Sequence, residues 1–157
     1  MIQRITSGDS APVFALKDNR GEMIDLASFR GKKVLLSWHP LAWTRVCAEQ
    51  MKSLEAHWAE FERLNTVPLG LSIDPYPAKN AWAKELGIAK VKLLADFWPH
   101  GEVTRAYGLF RQEEGFSERA NVLLDETGKV LWIKVYEIPE LPDINEVLTV
   151  IRNSPAI

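Results

Sequence analysis

The sequence predicts one α/β domain over residues 1–157, with a mixed β-sheet flanked by helices on both faces and an N-terminal β-hairpin extension. Three observations carry that expectation. Short apolar runs of strand length alternate with helix-length periodic segments through most of the chain, as in a sheet with crossover helices. The last third instead holds two such runs joined by Asp125-Glu126-Thr127-Gly128, which adds an antiparallel pair. No repeat, low-complexity tract or Gly/Ser/Pro linker divides the sequence.

Taken in order, residues 13–17 read as a strand and Asp18-Asn19-Arg20-Gly21 as a hairpin turn, with a return strand at 22–25. A helical turn is expected near residues 26–29. Gly31-Lys32 then leads into a buried strand over 33–38. The next element is the most periodic: Cys47, Met51, Leu54, Trp58, Phe61 and Leu64 trace one apolar stripe, and Glu49, Lys52, Glu55, Glu60 and Glu62 lie on the other face. Residues 67–73 read as a buried strand and 76–86 as a helix ended by Gly87. A short strand at 92–95 and a short helix at 102–107, stopped by Gly108, follow. Strands at 120–124 and 130–136 and a helix at 143–152 complete the chain. This order fits a thioredoxin-like fold with an N-terminal extension.

Composition narrows the function. A chain of 157 residues buries roughly two-thirds of its unfolded surface. Hydrophobic residues at 46% and charged residues at 25% are the balance of an ordinary globular protein. A net charge of −2 without a basic run argues against nucleic-acid binding. No stretch has the length of a membrane span or a signal-peptide core, so a cytoplasmic location is expected. The single cysteine cannot form an intramolecular disulfide.

That cysteine, Cys47, stands at the predicted start of the long helix, after Pro40-Leu41-Ala42-Trp43-Thr44-Arg45-Val46. Unpaired N–H groups and the helix dipole favour an anion there. A lone cysteine is also often a small buried hydrophobe. A free thiol titrates near 8.5, so about 3% is thiolate at pH 7. Bringing that to about 6 takes roughly 3.4 kcal/mol. A helix terminus supplies about 0.3–1 kcal/mol, and ~2 at best. A fixed cation is therefore needed. Arg119, ahead of the strand at 120–124, is the candidate if that strand lies beside the one leading to Cys47; the alternative is a surface arginine.

Pro40, Thr44 and Cys47 match the P-x-x-x-T-x-x-C signature of the peroxiredoxins, flanked as in that family by a strand and a helix. Gly8-Asp9-Ser10-Ala11-Pro12-Val13-Phe14 resembles the family's opening segment, and Glu118-Arg119-Ala120 the segment that carries its arginine. Asp96-Phe97-Trp98-Pro99-His100-Gly101 and Tyr107-Gly108 resemble its one-cysteine, alkyl-hydroperoxide-reductase-E-like branch.

The resemblance implies a thiol-dependent peroxidase without cofactor or metal. Cys47 attacks hydrogen peroxide or an organic hydroperoxide and becomes a sulfenic acid. With no second cysteine, an external thiol or thioredoxin-like reductant must regenerate it. A homodimer is also implied. A slow peroxide-responsive sensor or adaptor is the alternative, whereas a disulfide exchanger lacks the required C-x-x-C.

Arg119 is then expected to stabilise the thiolate and hold peroxide oxygens. Thr44 is expected to contact the incoming oxygen, or to cap the helix. Pro40 packs over the sulfur, and backbone N–H groups near Val46 and Cys47 complete a cradle for the leaving oxygen. Gln50 stands where many members have glutamate, beside Glu49, and can orient Arg119. Trp43 is placed at the entrance, and His39 at a position that is often aromatic, for packing. His39, His57 and His100 lack metal-ligand spacing. His100 falls in a loop, in a structural or substrate-facing role, and Asp74 and Asp96 end strands.

Overall fold

The computed structural model describes residues 3–157; Met1 and Ile2, part of the predicted domain, lie outside the described residues. The described chain forms β1 (Ala15–Lys17), β2 (Met23–Asp25), a 3-10 turn (Leu26–Phe29), β3 (Lys33–Trp38), α1 (Arg45–Ala56), α2 (Trp58–Arg63), β4 (Thr66–Ser72), α3 (Tyr76–Leu86), β5 (Lys92–Ala95), α4 (Glu102–Ala106), β6 (Phe110–Arg111), β7 (Phe116–Ser117), β8 (Arg119–Leu124), β9 (Val130–Tyr136) and α5 (Ile144–Asn153). β1 and β2 form the expected N-terminal hairpin.

The main sheet has the order β5-β4-β3-β8-β9. β3, β4 and β5 run parallel, β8 is antiparallel to β3, and β9 is antiparallel to β8. β3 is thus central, and all six of its residues are buried.

The period of two along β3 sorts its side chains between two cores. Val34, Leu36 and Trp38 join Leu69, Leu71 and Val122 on one face, under Phe14, Leu26 and the α4 residues Val103 and Ala106. Leu35 joins Leu93 and Leu123 on the other, under Met51, Leu54, Phe61, Trp82 and the α5 residues Val147, Leu148 and Ile151. Helices cover both faces, as expected, but unevenly: four lie on one side, while α4 shares the other with the N-terminal segment. The fold is the thioredoxin-like one.

Three local differences from the sequence reading have physical causes. The long helix is two, broken at His57 (φ −105°, ψ 16°). The His57 ring Nδ1 lies 2.9 Å from the Ser53 carbonyl, which also accepts the His57 backbone N–H. The apolar stripe runs through the break because Met51, Leu54 and Phe61 still enter one core. The first strand starts at Ala15 rather than residue 13, where Val13 is exposed. β6 and β7 carry only two residues each, too short for any periodicity to register.

Two residues in β4 resist a central strand, and each is accommodated. Pro68 pairs with Leu35 on β3, but β5 begins pairing only at Leu69, so the missing N–H falls where no second neighbour needs it. Gly70 gives room: a Cβ there would sit 2.5 Å from Met51 Sδ, 2.9 Å from Leu93 Cδ2 and 3.4 Å from His39 Cε1. Gly70→Ala is therefore expected to destabilise by about 1–3 kcal/mol through overpacking, read as a lower urea midpoint. An unchanged midpoint would mean that Met51 and Leu93 yield freely.

Candidate active site

The site is assembled where β3 ends. His39 continues the β4 pairing by one bond, its N–H donating to Leu71 O at 3.0 Å, and residues 40–44 then turn into α1. Three bonds hold that loop. The Ala42 N–H donates to Asp74 Oδ2 at 2.9 Å, the Trp43 indole Nε1 to Ala78 O at 3.3 Å, and the Thr44 hydroxyl to Leu41 O at 2.7 Å. Together they over-determine a bulky residue, Trp43, in the left-handed region at φ 68°.

Thr44 occupies the N-cap position of α1 with extended backbone, but its side chain makes no cap bond, because its proton goes to Leu41 O. The first-turn N–H groups of Arg45, Val46 and Cys47 are consequently left uncapped by it. Cys47, the third residue of the helix, is buried beside them.

Strand register delivers the cation. β8 pairs with β3 so that Ala120 faces Trp38, and Arg119 therefore arrives level with the residue after β3. Its Nη1 donates to Cys47 Sγ at 3.3 Å and to Gln50 Oε1 at 2.8 Å, and its Nε donates to Ile138 O at 2.8 Å. Gln50, one turn after Cys47, uses its amide both ways. While Oε1 accepts from Arg119, Nε2 donates to Ser37 Oγ at 2.8 Å and to Trp38 O at 3.1 Å. Arg119 and Gln50 are both buried. Among the described residues none of the guanidinium's partners is a carboxylate, so an anion at Cys47 would give it a counter-charge.

Pro40, Thr44, Val46, Cys47 and Arg119 line one pocket of about 250 Å³, walled further by Leu41, Phe116, Ile138 and Pro139. Gln50 stands behind Arg119. The other two candidates lie elsewhere. His39 is fully buried, packs against Trp82 with ring centroids 5.4 Å apart, and has its Nε2 3.2 Å from Lys79 Nζ. Trp43 turns outward, 56% exposed, toward the first turn of α3.

Sequence reasoning missed Phe116, Ile138 and Pro139. Counting register would have found Ile138: Arg119 faces Tyr136 across the β8–β9 pair, so Ile138 lies just past the end of β9. Of the remaining candidates, Asp74 anchors the active-site loop. Asp96 is buried and accepts the N–H groups of Val103 and Thr104 at the start of α4. His100 lies 2.7 Å from Gly115 O and packs edge-on against Phe110, a structural place. Among the described residues no group of three or more His, Cys, Asp or Glu could hold a metal, and no helix is long and apolar enough to cross a membrane.

Residues 7–133 match the model of the AhpC/TSA family. The alkyl hydroperoxide reductase E of Mycobacterium tuberculosis (strain ATCC 25618 / H37Rv) is 36% identical over 137 residues, covering 87% of this chain and 89% of the relative. Peroxiredoxin-2 of Mus musculus is 31% identical, covering 92% and 77%. The reduced 2-Cys peroxiredoxin of Plasmodium vivax superposes with a TM-score of 0.84 at 28% identity, covering 93% of this chain and 80% of its own. A family model spanning most of the chain, relatives above 30% identity and a matching fold lead to one conclusion: this chain belongs to the AhpC/TSA family of peroxiredoxins.

Proposed function

We propose that residues 1–157 act as one domain, a one-cysteine hydroperoxide reductase in which Cys47 is the nucleophile. The observation that carries this reading is the sole cysteine lying 3.3 Å from a buried arginine in a pocket. In the ionised state, the sulfur attacks the terminal oxygen of a hydroperoxide. The O–O bond breaks, Cys47 becomes a sulfenic acid, and the departing alkoxide takes a proton to leave as an alcohol, or as water from hydrogen peroxide.

Each neighbour has a part in that step. The Thr44 hydroxyl has committed its proton to Leu41 O, so its lone pairs accept the hydroperoxide O–H. Among the described residues Arg119 Nη2 has no protein acceptor, and its N–H groups, with those of Val46 and Cys47, meet the charge growing on the leaving oxygen. Pro40 limits water at the sulfur. The apolar wall of Leu41, Val46, Phe116, Ile138 and Pro139 suits an alkyl or aryl hydroperoxide.

With one cysteine in the chain, a small thiol or a thioredoxin-like protein must return the sulfenic acid to thiol. A working free thiol suits the reducing cytoplasm. Self-association is supported by exposed Trp43, Phe97 and Trp98, at 56%, 46% and 80%, which flank the first turn of α3. A homodimer through this surface would cover them.

Cys47→Ser is expected to abolish hydroperoxide reduction while leaving the fold intact. In the wild type, one equivalent of hydroperoxide without reductant should give a sulfenic acid by trapping and mass spectrometry. Excess should drive it to sulfinic acid, which thiols do not reverse. Peroxidase activity in folded Cys47→Ser, or a product that is mostly a Cys47–Cys47 linked dimer, contradicts the mechanism. Sedimentation should show a dimer that Trp98→Glu weakens at least about tenfold; a monomeric wild type contradicts the association.

A further inference from the structure

Beneath the active-site loop lies a second buried cation. Lys79, in the first turn of α3, has no exposure to solvent. Its Nζ donates to Nε2 of His39 at 3.2 Å and to Oγ of Ser72. Ser72 Oγ donates in turn to Asp74 Oδ2 at 2.7 Å, the same oxygen that accepts the Ala42 N–H at 2.9 Å. Lys79 therefore reaches the loop twice, through the residue before Pro40 and through Ser72 and Asp74 to Ala42.

Both direct partners of the ammonium are neutral, an expensive arrangement for a buried charge. Burial brings Lys79 down to about 7, against the opposing pull of Asp74, Cys47 and Asp96, in that order. His39 is pushed well below its ordinary value, first by burial and then by the charge on Lys79, with a smaller push from Arg119 and a partial offset from the Ser37 backbone. A neutral imidazole can accept at Nε2.

The groups around Lys79 come from several elements: His39 from the end of β3, Ser72 and Asp74 from the end of β4, Asp96 after β5, and Cys47 on α1. β4 and β8 flank β3 on opposite sides, so Lys79 and Arg119 approach the site across different neighbours of the central strand.

We propose that Lys79, seated on His39 and Ser72, is a positioning residue whose buried charge favours the anion at Cys47 and ties it to the loop. The inference rests on the reading of Cys47 as the nucleophile. Coupling is reciprocal: if the Cys47 anion helps Lys79 keep its proton, the Lys79 charge favours that anion equally.

The test is iodoacetamide alkylation of the full chain as a function of pH, which reports the reactive anion without any hydroperoxide. Lys79→Met should move the alkylation midpoint to higher pH, slowing the reaction below the midpoint at least about threefold, the equivalent of half a pH unit. His39→Phe, which removes an acceptor from the ammonium, should move it the same way, and His39→Gln, which keeps one, should stay near wild type. An independent arm follows the Lys79 side chain by NMR: its midpoint should fall to lower pH in Cys47→Ser, where the anion is gone. That arm decides the matter if Lys79→Met does not fold. Identical alkylation midpoints in wild type and folded Lys79→Met, or an unmoved Lys79 titration in Cys47→Ser, overturn the proposal. The predicted shifts in a wild type that consumes no hydroperoxide would support it while defeating the peroxidase reading.

Discussion

A guanidinium removed from water must replace its hydration with acceptors for its N–H groups, because the effective penalty for a buried ion is several kcal/mol. Arg119 replaces it with a carbonyl, an amide oxygen and a sulfur. Two of these partners are neutral acceptors, and the third becomes an anion when the thiol ionises. The enzyme's reactive state therefore also completes the electrostatics of the fold. A carboxylate in the place of Gln50 Oε1 would neutralise Arg119 before Cys47 could. The amide orients the cation without competing for its charge, and it does so while gripping Ser37 and Trp38 on β3.

The sheet exists around that requirement. β3 carries the chain to the site, β8 brings Arg119 alongside it, and β4 supplies Ser72 and Asp74 from the opposite side. Because the side-chain period is two, a slip of one residue between β3 and β8 would turn Arg119 to the wrong face. The buried apolar residues of both strands set that register. The loop between β3 and α1 has few choices left. Asp74, Ala78 and its own Thr44 fix it, and it tolerates Trp43 at positive φ as a result. Lys79 extends the same logic below the loop, with a second cation whose direct partners among the described residues are also neutral.

Much of this was legible in the residues themselves. Apolar runs such as residues 33–38 and 120–124 mark strands because burial on both faces demands them, and Gly87 ends α3 in the left-handed conformation that its position requires (φ 73°). The cation needed by Cys47 could be argued from energies alone, and Arg119 was the candidate. Side-chain bonds that act through space were not legible. Nothing in the pattern around His57 signals a break, since it depends on a ring nitrogen meeting the Ser53 carbonyl. Lys79 reads as an ordinary helix-surface lysine until α3 is docked and its amine is found sealed against His39. The pocket wall of Phe116, Ile138 and Pro139 comes from segments distant in sequence, joined only by the β8–β9 pairing and the small hairpin before it.

The central claim is that Arg119 does more than hold an anion at Cys47: its planar fork also binds charge that appears only as the O–O bond breaks. Parallel rates at one pH separate the two roles. Iodoacetamide alkylation reports the anion alone, whereas single-turnover reduction of a hydroperoxide reports anion and transition state together. In Arg119→Ala the hydroperoxide rate is predicted to fall at least about tenfold further than the alkylation rate. In Arg119→Lys alkylation is predicted to recover more fully than hydroperoxide reduction, because an ammonium restores charge without the fork. Equal losses in the two reactions, in both variants, would contradict the account.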